Sequence, residues 1–319
     1  MPGSIFYIVL NMSIASCVVI VVLFLVRLIK PIPRRYVYPM WALAFFRLVM
    51  PFIPSSGWSL FNFTGGFVKR IVDIETVTRG AVSAPASVDM VMMNAVGAVE
   101  SYDPVIYKAV SLRRIFSISS AVWAVVAVCS LFAVCLLYTF TYRELRKAVH
   151  VKGIVYSSEM VMSPVLTGVF RPRIILPPGV DPESTEGKII LEHENVHRKR
   201  LDNLWRALAV AAACVHWFNP LVWLMLRSFF RDMELSCDET VLKRGKYGSE
   251  GSKAYAAALL QFAENRSIFV PSAFGSSGVR VRIVNVLNFK RMTVIGAVAS
   301  AIFLLAVAFA LITNPSFRG

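Results

Sequence analysis

Four long apolar stretches constrain the fold of this 319-residue chain more than any other feature. They run from Ile5 to Val26, Tyr36 to Ile53, Ile115 to Phe140 and Met292 to Ile312. About 20 consecutive apolar residues are enough to cross the hydrocarbon core of a bilayer as a helix. The hydrophobic fraction of 56% also exceeds that of ordinary soluble domains. The pattern predicts an α-helical multi-span membrane protein whose first partner is the lipid bilayer.

Basic residues near the ends of these stretches predict the orientation of the chain. They crowd the link after the first stretch and the segment after the third, at Arg27, Lys30, Arg34, Arg35, Arg143, Arg146, Lys147 and Lys152. Lys and Arg beside spans tend to remain in the cytosol, so we expect an N-terminus outside the cell, although Arg113 and Arg114 are exceptions. The net charge of +15 is explained by this topology, and we expect no direct nucleic-acid binding.

The segment His193-Glu194-Asn195-Val196-His197 has the H-E-x-x-H pattern of zinc hydrolases. Two histidines four residues apart lie on one face of a helix, about one turn from each other. They can therefore bind one metal ion, and the glutamate between them can take a proton from a water molecule at the metal. The motif predicts one zinc per chain, with His193 and His197 as ligands and Glu194 as the catalytic base.

A catalytic zinc site usually has three protein ligands, so a third ligand is needed from elsewhere in the chain. Glu234 is the predicted third ligand, and Asp238, one helical turn later, could accept the second ring N–H of a ligating histidine. Cys237 is the rival, because a thiolate binds zinc strongly but is less usual in hydrolytic sites. Both ligand sets remain open from the residues alone.

The predicted metal site also constrains the topology between the third and fourth spans. Residues 204–226 are apolar enough to form a fifth span, but a crossing there would separate His193 from Glu234. Pro220 would interrupt such a helix. We therefore expect a membrane-associated hairpin near 204–226, with a soluble core element as the alternative. His216 is expected to form a hydrogen bond within the turn, and Arg47 to face a partner inside the bundle, since a charge within a bilayer is costly.

These expectations divide the chain into five parts. They are the first two spans (1–56), an extracellular loop (57–114), the third span (115–141), a cytosolic domain (142–291), and the fourth span with a short outer tail (292–319). The predicted location is the bacterial cytoplasmic membrane, with the catalytic domain facing the cytosol.

Short strands are expected between Val161 and Leu176, where β-branched residues alternate with glycine and proline. Pro172 would be tolerated on an edge strand. An edge strand beside a protease site can pair with an extended substrate. Phe170, Arg171 and Ile174 are therefore candidate substrate-contacting residues, with an ordinary structural hairpin as the alternative.

A set of motifs is spread over most of the chain. It comprises His193-Glu194-x-x-His197, Trp217-Phe218-Asn219-Pro220, the run from Glu234 to Glu239, the run from Phe170 to Pro177, Arg47-x-x-x-Pro51 and Arg282-Ile283. The combination resembles the BlaR and MecR antirepressor membrane metallopeptidases. The resemblance implies an α+β gluzincin zinc-peptidase domain inserted between the third and fourth spans. It also implies the same ligands, His193, His197 and Glu234, and the same base, Glu194.

In the family that the chain resembles, a signal outside the cell triggers proteolysis inside it. We therefore expect an integral-membrane zinc endopeptidase of signal transduction. Its protein substrate would be the chain itself, within a homodimer, or a cytosolic winged-helix repressor. The alternatives are a quality-control or processing zinc protease and a non-catalytic zinc-binding receptor or scaffold. The penicillin sensors of the family carry a further domain after the fourth span, where this sequence has Thr313 to Gly319, so we expect no antibiotic acylation.

The segment from Ser267 to Gly278 is rich in small, turn-forming residues. Loops of this composition are preferred sites of proteolysis. Ser272, Ala273 and Phe274 are the candidate self-cleavage residues, and a flexible linker without cleavage is the alternative.

Overall fold

The computed structural model describes residues 2–29, 31–50, 55–56, 110–244, 249–264 and 276–315. Most of the predicted extracellular loop (57–114) lies outside these residues. The candidate self-cleavage residues Ser272, Ala273 and Phe274 also lie outside them.

The described chain is mostly helical, with one small four-stranded sheet. The helices are α1 (Pro2–Leu28), α2 (Arg34–Val37), a 3-10 turn (Tyr38–Met40), α3 (Trp41–Val49), α4 (Val110–Leu145), α5 (Thr185–Lys199), α6 (Asp202–Val215), α7 (Pro220–Arg244), α8 (Ser249–Glu264), α9 (Ser276–Leu287) and α10 (Val294–Ile312). The strands are β1 (Ser55–Ser56), β2 (Val149–Lys152), β3 (Val155–Ser157), β4 (Val165–Thr167), β5 (Arg173–Leu176) and β6 (Asn314–Pro315).

Three of these helices are long and apolar enough to cross a membrane. The candidate spans are Ile5–Leu28 in α1, Ser117–Leu145 in α4 and Val294–Ile312 in α10. They correspond to the first, third and fourth apolar stretches of the sequence. Many large apolar side chains of α4 and α10 are exposed on the protein surface, as expected of helices that contact lipid.

Two of the predicted spans, the second and the third, differ in shape or length from the helices in the structure. The second predicted span is a bent path through α2, the 3-10 turn and α3, and these 16 helical residues extend only about 24 Å. Pro39 lies in the 3-10 turn, where its missing N–H and fixed φ interrupt the α-helical ladder. The predicted limits of the third span, 115 and 141, both fall inside α4, because no proline or glycine interrupts the helix between Val110 and Leu145.

Arg47 has the intramolecular partner that its position in an apolar stretch predicts. It is 2% exposed, and its guanidinium donates to the main-chain oxygens of Leu311 and Thr313 at 2.8–3.1 Å. These oxygens lie at the C-terminal end of α10, where carbonyls have no partner within the helix. Strands β1 and β6 pair in parallel beside this contact. The second and fourth apolar stretches therefore end at the same side of the bundle.

Helices α6 and α7 form the predicted hairpin, and its tip is inserted among the membrane helices. Trp123 of α4 donates to the main-chain oxygen of Val215 at 2.8 Å, and Asn219 donates to Ser13 of α1 at 2.7 Å. His216 forms the expected hydrogen bond within the turn through its main-chain oxygen, which accepts from the N–H of Asn219 at 2.9 Å, while its ring bonds to the main-chain oxygen of Leu48 at 3.0 Å. These contacts favour a membrane-associated hairpin over a soluble core element.

Helix α7 presents charged side chains on two opposite faces. Asp232 is fully buried and accepts from Arg27 Nε at 2.9–3.0 Å and from Trp41 Nε1 at 3.0 Å. Two turns later, Glu239 accepts from the main-chain N–H groups of Arg34 and Arg35 at the start of α2. A carboxylate at a helix N-terminus satisfies unpaired N–H groups and interacts favourably with the helix dipole. One face of α7 thus binds the segment from Arg27 to Arg35, which connects the first two apolar stretches.

The four-stranded sheet has the order β2-β3-β5-β4, with β3 parallel to β5 and the other pairs antiparallel. The prediction of an edge strand around Phe170, Arg171 and Ile174 is therefore wrong. Ile174 lies in β5, an interior strand whose apolar residues are buried, as a strand covered on both faces requires. Phe170 and Arg171 lie in the exposed β4–β5 turn, and Pro172 precedes β5. The edge strands are β2 and β4.

The replacement Asp232→Ala should lower the free energy of unfolding by about 3–5 kcal/mol, because it leaves the Arg27 guanidinium and the Trp41 indole N–H without their buried acceptor. The measurement is thermal unfolding of the purified protein in detergent. Glu183→Ala is the control, since Glu183 pairs with Lys152 while both side chains are more than half exposed, and exposed pairs contribute little. Equal melting temperatures for the two variants would contradict this role of Asp232.

Candidate metal centre

Local packing determines where α5 begins. The side chain of Ser184 caps the helix by accepting from the main-chain N–H of Gly187 at 2.9 Å. A Cβ atom at position 187 would lie 2.0 Å from the main-chain oxygen of Asp181, so the close approach at this helix start requires glycine. This start places His193, Glu194 and His197 on the buried side of α5.

The two histidines face each other across a gap that a metal ion could fill. They are 8% and 2% exposed, and their Nε2 atoms are 3.1 Å apart. Glu234 of α7 approaches from the opposite side, with Oε2 at 3.6 Å from His193 Nε2 and Oε1 at 3.7 Å from His197 Nε2. Two helices thus bring the three predicted ligands to one point.

The second ring nitrogen of each histidine has a partner that determines its tautomer. His197 Nδ1 lies 2.6 Å from Asp202, and a carboxylate can only accept there. Tyr255 donates to Asp238 at 2.7 Å, so it accepts from His193 Nδ1 at 2.8 Å. Both Nδ1 atoms therefore carry a proton, so the Nε2 atoms are the ones that face the gap, where Arg282 Nη2 also lies 3.4 Å from His193 Nε2. Two Nε2 lone pairs at such a short distance repel each other unless a proton or a metal ion is bound there.

Asp202 was not predicted from the sequence, and a break between two helices brings it to His197. Leu201 adopts a left-handed conformation with φ of 56°, and it is one of only two residues between the end of α5 at Lys199 and the start of α6 at Asp202. The sharp turn places Asp202, fully buried, directly beside the His197 ring. Tyr38 donates to Asp202 at 2.9 Å and Arg200 pairs with it at 3.1 Å. A left-handed leucine has no sequence signal that would reveal it.

Two arginines contact the predicted third ligand, although the sequence patterns gave neither of them a role at the metal site. Arg206 of α6 pairs with Glu234 Oε1 at 2.8 Å, and Arg282 of α9 pairs with Oε2 at 3.2 Å. Burial by itself would raise the pKa of Glu234, but His197 and Arg282 outweigh it and hold that pKa well below its usual range. Glu234 is therefore an anion that is available to a metal.

Asp238 lies one turn after Glu234, on the same face of α7. Arg282 binds it with a two-pronged contact at 2.8 and 2.9 Å, and it lies 3.3 Å from His193 Nδ1. Burial raises the pKa of this fully buried carboxyl, but Arg282 outweighs the effect and lowers the pKa to about 2. The expected partnership between Asp238 and His193 is thus mainly indirect, through Tyr255.

Cys237 is close enough to be a competing ligand. Its Sγ atom and one nitrogen from each of His193 and His197 lie within 4.8 Å of one another. However, the thiol is fully buried and donates to the main-chain oxygen of His193 at 3.4 Å. Glu234 instead lines the cavity beside the histidines. The Glu234 carboxylate therefore lies on the cavity side of the two histidines, and the Cys237 thiol is buried against the main chain of His193.

A cavity of about 370 Å³ opens onto the centre. Glu194, which is 7% exposed, lines it together with both histidines and Glu234. Its apolar side consists of Val165, Leu166, Ile189, Ile190, Phe230 and Leu259, and its basic side of Arg206, Arg227, Arg231 and Arg282. Edge strand β4 contributes to the lining, whereas Phe170 is 95% exposed in the turn beyond it. The cavity can admit a substrate segment that reaches the histidines and Glu194.

Three candidate membrane-crossing helices and a buried histidine pair beside a glutamate are typical of membrane metallopeptidases. The chain belongs to the BlaR1 peptidase M56 family, whose model matches residues 7–286. Membership of this peptidase family is consistent with a membrane protein that has a metal site.

Relatives with known names match parts of the chain. Over 175 residues it is 35% identical to the Regulatory protein BlaR1 of Bacillus licheniformis, a match that covers 52% of this chain and 29% of that protein. Over 90 residues it is 32% identical to the Methicillin resistance mecR1 proteins of Staphylococcus aureus and Staphylococcus epidermidis, covering 28% of this chain and 15% of those proteins. The matched part thus spans less than a third of each relative.

The replacement Leu201→Gly should leave stability unchanged or raise it by up to about 1 kcal/mol, because glycine adopts the left-handed conformation without the cost that other residues incur. Leu201 is 54% exposed, so little packing is lost. Leu208→Gly is the matched control, since Leu208 is 49% exposed within α6 and should lose about 1 kcal/mol. Melting temperatures of both variants test this, and a larger loss at Leu201 would contradict the strain at the α5–α6 turn.

Proposed function

We propose that the protein is a zinc endopeptidase of signal transduction, with His193, His197 and Glu234 as ligands and Glu194 as the catalytic base. The observation that carries this proposal is the pair of Nε2 atoms 3.1 Å apart, on two histidines whose Nδ1 atoms already have partners, in a cavity that Glu194 also lines. The family implies a metallopeptidase. The choice of zinc and the role of each residue are the proposed parts.

The donor set fits zinc. Two nitrogen ligands at the usual distance from a tetrahedral zinc ion lie about 3.3 Å from each other. The two Nε2 atoms are 3.1 Å apart, and the Glu234 oxygens lie 3.6 and 3.7 Å from them. Two imidazoles and one carboxylate form a common ligand set of catalytic zinc, which leaves a fourth position open. One zinc per chain is therefore expected.

The chemistry would be hydrolysis without a covalent enzyme intermediate. When bound, zinc would polarise the scissile carbonyl and lower the pKa of a water molecule toward neutrality. Glu194 lies beside both ligating histidines in the motif, where it can accept a proton from water and later deliver it to the leaving amine. Asp202 and Tyr255 keep the two imidazoles in the tautomer that leaves Nε2 free.

We propose that the substrate lies along edge strand β4 and not along the β5 segment expected from the sequence. One side of β4 is paired with β5. Ser163, Pro164, Val165 and Leu166 line the cavity, while Asn203 already binds the main-chain oxygens of Leu166 and Gly168. An extended peptide would therefore contact this segment chiefly through the side chains that line the cavity, because Pro164 has no N–H and Asn203 occupies the carbonyls of Leu166 and Gly168. The apolar lining favours an apolar side chain next to the scissile bond.

We further propose a multi-pass topology in which the catalytic domain faces the cytosol. Asp232 and Glu239 bind the basic link between α1 and α2, so this link and the catalytic half of α7 lie on the same side of the bundle. The positive-inside rule assigns that side to the cytosol. The substrates proposed on that side are a cytosolic repressor, a second copy of the chain and the chain itself; one relative is named a regulatory protein.

The variant His197→Ala should lose zinc, because two remaining ligands bind the ion poorly. Glu194→Gln should keep about one zinc per chain and lose cleavage, since this residue moves protons and does not bind the metal. Zinc content by elemental analysis and cleavage of a reporter peptide are measured on the same detergent-purified samples. Full zinc occupancy in His197→Ala would refute the metal site, and normal cleavage by Glu194→Gln would refute the mechanism.

The same assays identify the third ligand. Glu234→Gln should lose zinc and Cys237→Ser should retain it, because Glu234 lies on the cavity side of the histidines and Cys237 behind them. The reverse pattern would assign the third position to the thiol.

Self-cleavage at Ser272, Ala273 or Phe274 should release a fragment in wild type and none in Glu194→Gln. Such a cut would separate most of the domain from α10 because α9 and α10 follow it. The test uses a different tag at each end of the chain in growing cells. An intact chain under all conditions, or equal fragments in both proteins, would favour an uncut linker.

A further inference from the structure

Arg282 lies where the carboxylates of the metal centre meet. Its guanidinium binds both oxygens of Asp238, contacts Glu234 Oε2 at 3.2 Å, and lies 3.4 Å from His193 Nε2. The side chain is only 14% exposed, so these contacts operate in a largely dry environment. A planar guanidinium with a fixed fork of donors can hold two carboxylates in one geometry.

A chain of hydrogen bonds extends from Arg282 to a proposed metal ligand. Arg282 fixes Asp238, Asp238 accepts from Tyr255, and Tyr255 accepts from His193 Nδ1. The same guanidinium orients Glu234 directly. One side chain therefore influences two of the three proposed ligands, whereas His197 is held by Asp202 on the other side of the centre.

The position of Arg282 in the chain connects this network to the membrane. Helix α9 carries Arg282, and residues 288–293 join α9 directly to α10, the last candidate span. Helices α5 and α7 carry the proposed ligands and the base and lie earlier in the chain. Arg282 can therefore contact Asp238 and Glu234 only while α9 is packed against α7.

We propose that Arg282 is a positioning residue: from α9 it holds Glu234 directly, and His193 through Asp238 and Tyr255, in the geometry that binds the metal. This inference rests on the proposed function. It makes the docking of α9, and hence the position of the last span, a condition for metal binding. By its charge alone, Arg282 would be expected to weaken metal binding, because a guanidinium this close to a divalent ion repels it.

The substitution Arg282→Lys separates the two effects, since lysine keeps the charge and loses the fork. Zinc affinity, measured by competition with a chelator, should fall about ten- to hundredfold, as typical losses around metal ligands do. Arg282→Gln should lose less, because it also removes the repulsion. Arg280→Lys, on the exposed side of the same helix, is the matched control and should bind zinc like wild type. Wild-type affinity in Arg282→Lys would overturn the proposal.

A double-mutant cycle with Tyr255→Phe tests the hydrogen-bond chain. If Arg282 acts on His193 through Tyr255, the two substitutions break the same chain of hydrogen bonds. The fold-loss of zinc affinity in the double variant should then be smaller than the product of the fold-losses in the two single variants. Losses that simply multiply would overturn this route. The cobalt-loaded proteins give a readout besides activity, because a distorted ligand set changes the visible absorption of the ion.

Chemical rescue addresses the risk that the variants misfold. In Arg282→Ala, millimolar guanidinium should restore zinc affinity at least severalfold by occupying the vacated site, while His193→Ala should not respond. A misfolded protein would show no rescue and a lowered melting temperature without zinc; a folded Arg282→Ala that is not rescued would contradict the positioning role. If wild type itself binds no zinc, the proposed function fails. If wild type binds zinc and Arg282→Lys equals it, this inference alone fails.

Discussion

The buried carboxylate of Asp232 is the interaction on which the arrangement of this protein depends. It joins Arg27 at the end of α1 and Trp41 at the start of α3 to the middle of α7. Positions 232 and 234 are about 200° apart around a helix, so the face that binds the membrane helices is opposite to the face that carries Glu234. Movement of the first two apolar helices cannot leave α7 unaffected, because breaking an ion pair whose carboxylate is fully buried costs several kcal/mol.

The metal centre itself concentrates negative charge in a poorly solvated space. Glu194, Glu234, Asp202 and Asp238 all lie in it, and three of them are paired with arginines from α5–α6 or α9. Such pairing compensates the negative charge of carboxylates that are held away from water. The three proposed ligands are thus supported by side chains from helices α6, α8 and α9.

The sequence predicted the parts that depend on local spacing. Three of the four apolar stretches form helices long enough to cross a membrane, whereas the second is bent, and the histidine pair and the Glu234–Asp238 pair each lie on one helix face as periodicity requires. Asp202, Tyr255 and Arg206 were missed, and Arg282 was noted only within a family motif, because these residues reach the centre from other elements or through the left-handed Leu201. The edge strand was assigned wrongly because Pro172 was taken as part of a strand, whereas it lies in the turn before an interior one. Pairing partners of a short strand are set by tertiary contacts that local composition does not encode.

The position of Arg282 in the chain has a consequence for biosynthesis. His193, Glu194, His197 and Glu234 are all synthesised before Arg282, which lies 89 residues after His193. A nascent chain therefore carries every proposed catalytic group while its centre still lacks the contact that holds Glu234 and Asp238. Only after the ribosome has made α9, and the last apolar helix can insert, is the full set of contacts present. Under the proposed function, a protease made in this order would gain its metal only when its own chain is nearly complete.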